Sequence, residues 1–111
     1  MSSSDRKSVR VNSDKFISYK LFDKDDRICD EGLAKYKDIS KTGISVENRR
    51  SMEVGNTIEL AIALTQEIVK AKGIVRNLNQ IDDQTFHVGI EFIDITDEQL
   101  QNLSKEYPNL V

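Results

Sequence analysis

Two groups of residues in this chain have the types and spacing to act on a ligand. Arg6 and Arg10 form an R-x-x-x-R pair in a polar lead-in, and Asp38-Ile39-Ser40-Lys41-Thr42-Gly43 is a D-x-S-x-x-G turn between two strand-like runs. A guanidinium is a planar fork of five donors that grips a phosphate bidentately, meets the O6 and N7 acceptors of a guanine edge and stacks on flat rings. Guanine's other edge presents N1–H and N2–H donors, which call for a carboxylate, and Asp38 in a rigid turn is the candidate acceptor. Ser40, two residues on, points to the same side if the backbone there is extended. Gly43 tolerates positive φ and lets the chain turn sharply beside a ligand. Together the two groups describe a pocket for an anionic, guanine-bearing ligand. Singly, each is bland: terminal arginines often only solubilise an arm, and Asp and Ser are ordinary turn formers.

No other constellation competes with this pair. Cys29 is the one cysteine and His87 the one histidine, which leaves no internal disulfide, no zinc cluster and no thiol–imidazole couple, so neither catalytic nor metal-ligating residues are assigned. His87 alternates with apolar neighbours and is expected at the surface. Arg49-Arg50 is expected in a solvated loop, from which it could still face the same anion, and Asp97 and Glu98 suit the positive end of a helix.

Composition narrows the setting. A chain of 111 residues makes one domain able to bury roughly 65% of its unfolded surface. Sixteen basic against nineteen acidic side chains, a net charge of −3, argue against general affinity for a nucleic-acid polymer. The balance is uneven: residues 1–20 hold Arg6, Lys7, Arg10, Lys15 and Lys20 against Asp5 and Asp14, whereas residues 82–106 hold seven acidic side chains against Lys105 alone. A small anion is therefore drawn to the N-terminal part. The opening residues have no apolar leader behind their charges, and the longest apolar run, Leu60–Leu64, is far too short for a membrane span. With a single cysteine, the expectation is a reducing, cytoplasmic protein.

The elements that must position these residues follow from periodicity. Residues 1–14 hold only Val9 and Val11 as apolar groups and are expected to form a flexible arm, with a folded unit over 15–111. Strands are expected at Phe16–Phe22, Gly32–Tyr36, Ile44–Val46, Thr57–Ile62, Ile68–Leu78 and Phe86–Phe92, the last alternating most clearly. Asp38–Gly43 and Asp82–Asp83 are turns, Glu47–Asn56 is a polar loop, and Gly73 marks a bulge or close approach. Thr96-Asp-Glu-Gln99 has capping-box form and opens a helix with Leu100 and Leu103 on its apolar stripe, stopped by Pro108. Six short strands and a terminal helix predict an all-β fold, a small antiparallel barrel, because closure removes exposed edges.

The order R-x-x-x-R, then D-x-S-x-x-G after one hairpin, then Val88-Gly-Ile-Glu-Phe92 and a terminal helix resembles the PilZ domain family over nearly the whole chain, from Asp5 to Tyr107. The resemblance implies a six-stranded antiparallel β-barrel with a C-terminal helix that binds the bacterial second messenger cyclic di-GMP without catalysis or cofactor. It further implies that Arg6 and Arg10 contact phosphates and guanines from a loop wrapped over the ligand, with Asp38, Ser40 and Gly43 on the barrel face beneath. Ordering of the arm would then signal to a protein partner whose identity no motif reveals. Asp5 stands where many members carry a further arginine, which favours one bound ligand molecule over a stacked pair.

Two other classes stand beside this expectation. A PilZ-like adaptor would keep the fold and act only through protein contacts, against which the intact motif residues weigh. A small enzyme or nucleic-acid-binding barrel would need a catalytic constellation or a basic, aromatic face, and the sequence has neither.

Overall fold

Strand alternation builds the molecule. A computed structural model describes residues 15–107. In β1 (Phe16–Phe22), Ile17, Tyr19 and Leu21 are buried while Phe16, Ser18 and Lys20 face solvent, the period of a half-buried strand. β2 (Ile28–Ile39) runs farther both ways than the expected Gly32–Tyr36. The cause is pairing: β1 holds the N-terminal part, from Phe16 opposite Lys35 to Phe22 opposite Ile28, and the next strand holds the C-terminal part, with Asp38 opposite Ser45 and Ile39 opposite Ile44, residues that no apolar alternation marks. Asp23 closes the hairpin, its Oδ1 accepting the amides of Asp25 (2.9 Å) and Arg27 (3.0 Å) while Asp26 takes a positive φ of 61°.

β3 (Gly43–Asn48), β4 (Thr57–Ala63), β5 (Ile68–Asp82) and β6 (Thr85–Asp94) complete a closed barrel in the order β1-β2-β3-β6-β5-β4, every pair antiparallel. β4 closes on β1 from Ile62 opposite Ile17 to Ile58 opposite Leu21. The expected six-stranded antiparallel barrel is thus the observed one. β5 extends past Leu78, and the hairpin turn lies at Asp83 and Gln84, with Asp82 Oδ1 accepting the Gln84 amide at 2.9 Å. The ladder slips between Lys72 and Gly73, where Ile93 of β6 is the extra residue; Gly73 lies opposite that bulge and is itself a close approach, a Cβ there standing 2.7 Å from the Glu91 carbonyl oxygen.

Ile17, Ile58, Ile62, Val75 and Val88 fill the barrel with no exposed surface. The supposedly polar loop contributes as well: Met52, 1% exposed, joins the core cluster from between β3 and β4. Beyond β6, Thr96 caps α1 (Asp97–Ser104) in both senses, its Oγ1 accepting the Gln99 amide (3.1 Å) and its amide donating to Gln99 Oε1 (2.9 Å). Leu103 is fully buried, which stabilises the docked helix by about 1.5–3 kcal/mol. The expected stop at Pro108 lies outside the described residues. Among the described residues no helix is long and apolar enough to cross a membrane.

Candidate functional site

Asp38 is not in a turn. It belongs to β2, opposite Ser45, just past a bulge at Lys37. That extra residue resets the alternation. Ala34 is buried and Tyr36 packs against the core; an unbroken period would send Asp38 inward and Ile39 out, but the bulge leaves Asp38 exposed and Ile39 buried at 2%. One carboxylate oxygen, Oδ1, accepts the Ile39 amide at 2.9 Å.

The turn proper is Ser40–Thr42. The Ser40 amide donates to the Gly43 carbonyl (2.8 Å), and Ser40 Oγ accepts the Thr42 amide (3.2 Å) while lying 3.2 Å from Thr42 Oγ1. Ser40 has therefore left the extended strand, and its hydroxyl is bonded back into its own turn. Thr42 in turn accepts the Phe92 amide at 2.8 Å, which fastens the turn to β6. Gly43 is required for space and not for positive φ: a Cβ there would meet the Ile90 carbonyl oxygen and stand 3.2 Å from its carbon. Asp38, Ser40 and Gly43 are thus brought together at one end of the barrel on a fixed β2–β3 connection.

Arg6 and Arg10 lie outside the described residues. The described chain enters beside the motif, however. The Lys15 carbonyl accepts the Tyr36 amide at 2.8 Å, and Tyr36 precedes Asp38 by two residues. Lys15 Nζ stands 4.5 Å over the Tyr107 ring, which meets the Tyr36 ring at 4.8 Å between centroids. Burial pushes the Tyr107 hydroxyl up to about 12, with Tyr36 and the Glu106 charge adding to the effect. Tyr36 is raised too, by burial first and then by the Asp38 carboxylate. Glu106 is held below the usual carboxylate range, chiefly because its Oε2 accepts the Thr65 amide at 2.5 Å.

Arg50 does not share this end. It pairs with Asp30 (Nη1–Oδ1, 2.5 Å), which also accepts the Tyr19 hydroxyl at 2.9 Å; Asp30 lies eight residues, about 26 Å, down β2 from Asp38. Arg50 is thereby removed from the anion that the motif could hold. His87 is half-buried rather than on the open surface, its Nε2 enclosed without a partner among the described residues. No group of His, Cys, Asp and Glu among the described residues is placed to hold a metal ion.

Sequence reasoning missed the neighbours across the ladder. A hollow of about 260 Å³ opens from Thr42 and Gly43 over Gly89, with Asn77 and the Arg76–Glu91 ion pair at its side. The residues lie more than thirty positions from the motif in sequence, and only the strand register unites them.

A family model described as PilZ domain matches residues 4–107. No curated protein matches the chain.

Proposed function

This chain belongs to the PilZ domain family, whose members are cyclic di-GMP receptors, and from that premise we propose that it binds cyclic di-GMP and relays the ligand's level to a protein partner. Arg6 and Arg10 take the phosphates and the O6 and N7 side of guanine; Asp38 accepts from N1–H and N2–H. Ser40 and Gly43 hold the connection in shape and let the ligand approach the backbone. The protein performs no chemistry on the ligand, and arrival of the ligand is reported by ordering of residues 1–14.

The observation that carries this reading is the bond between the Lys15 carbonyl and the Tyr36 amide, which starts the arm at the motif's end of the barrel. Arg10 is five residues from Lys15 and Arg6 nine, spans of at most about 17 and 31 Å, so both guanidiniums can reach a ligand seated on Asp38. Calorimetric titration tests it: saturating heat with cyclic di-GMP is expected, and no heat at high micromolar ligand overturns it.

One observation favours the adaptor alternative. Phe16, Leu33 and Ile68 are 57%, 65% and 62% exposed on the outer faces of β1, β2 and β5, an apolar surface suited to protein contact. A silent titration together with a captured protein partner would select that reading.

A further inference from the structure

The Arg76–Glu91 pair is placed to do more than decorate the barrel. We propose, resting on the assignment of cyclic di-GMP to the motif, that Arg76 and Glu91 read the edge of the ligand's second guanine in the hollow beside Thr42 and Gly43, making them specificity-determining residues of the same site.

The floor of this hollow is flat. Gly43 opposes Glu91, and Gly89 stands between Ser45 and Asn77 on the outer face of β3, β6 and β5. Neither glycine presents a side chain. Over Gly89 lies the Asn77 amide, so close that a Cβ on Gly89 would stand 2.8 Å from both its Cγ and its Nδ2. The space a Gly43 side chain would need is filled by the Ile90 carbonyl and that over Gly89 by the Asn77 amide, so the floor is built of peptide and amide planes on which a purine can lie.

Beside the floor, Arg76 Nε donates to Glu91 Oε1 at 2.5 Å, with both side chains about half exposed, 52% and 51%. An ion pair this exposed contributes little to folding. Joined through Nε and Oε1, the pair leaves the Arg76 Nη donors and Glu91 Oε2 without partners among the described residues. Guanine offers the complement: its N1–H and N2–H donate to Oε2, and its O6 accepts from Nη. Adenine reverses both positions, setting its N1 lone pair against the carboxylate and its N6 amine against the guanidinium. The pair therefore selects guanine over adenine. A cyclic dinucleotide carries two bases, so Asp38 and this pair can each take one.

The test is calorimetric titration of the full chain and of Arg76→Ala, Glu91→Gln and Asp38→Ala with cyclic di-GMP and with cyclic di-AMP, each variant's fold checked by circular dichroism. Arg76→Ala is expected to weaken cyclic di-GMP binding roughly tenfold or more, and Glu91→Gln to weaken it comparably while narrowing the preference over cyclic di-AMP. If the wild type binds and Asp38→Ala weakens it, but Arg76→Ala and Glu91→Gln stay within about twofold in affinity and preference, the inference falls and the motif assignment stands. A wild type that binds no cyclic di-GMP overturns both.

Discussion

Gly43 and Ile90 leave no room for a side chain between them. A Cβ on Gly43 would stand 3.2 Å from the Ile90 carbonyl carbon and 3.3 Å from Glu91 Cα, and it would overlap the Ile90 oxygen. Because Thr42 also accepts the Phe92 amide, the motif turn is clamped to β6 by both hydrogen bonding and steric fit. Gly43→Ala should therefore force β3 and β6 apart and cost about 1–3 kcal/mol of stability. The expected observation is a lower urea midpoint at unchanged slope. An unshifted midpoint would mean that the two strands part freely.

The two halves of the proposed site can be weighed separately. Arg10→Ala removes a guanidinium from the arm, and Asp38→Ala removes an exposed carboxylate whose Oδ1 also holds the Ile39 amide. Each should weaken cyclic di-GMP binding by roughly 1–3 kcal/mol, the usual worth of a bidentate or charged base contact. Titrations in which both variants keep wild-type affinity would move the site elsewhere.

Ordering of the arm has its own readout. Since Lys15 anchors the chain beside Tyr36, ligand that bridges Asp38 to Arg10 and Arg6 should protect backbone amides in residues 1–14. Hydrogen exchange there is expected to slow on adding cyclic di-GMP. Equal exchange with and without saturating ligand would contradict the relay.

The tyrosine pair predicts an alkaline limit. Tyr107 is pushed up to about 12 in the fold, chiefly by burial, against an ordinary value of 10.0. A folded value above the unfolded one contributes stability that is fully present below pH 10 and is lost as pH rises through about 12. Unfolding midpoints should therefore fall across that window, and Tyr107→Phe should flatten the fall. A wild-type profile flat from pH 10 to 12 would show that the buried hydroxyl ionises without penalty.

Much of this molecule is determined locally. The alternation Phe86, Val88, Ile90, Phe92 makes β6 because only a strand places those side chains on one face, and three of the four are buried. Thr96 and Gln99 form their capping box because both bonds close within one turn of chain. The matched family likewise follows from residues in order along the sequence.

What tertiary structure decided are the relations between strands. Asp38 faces solvent because β2 slips by one residue against β3 at Lys37, and a register slip is a property of the pair, not of either strand. Gly43 is glycine on account of Ile90, and Arg76 meets Glu91 across a ladder that no local period encodes. Met52 looks like part of a polar loop until the chain leaving β3 carries it into the core. Composition and spacing thus determined the motif and the strands that carry it; barrel closure decided which side chains share a face, because register is settled only when every strand has found both neighbours.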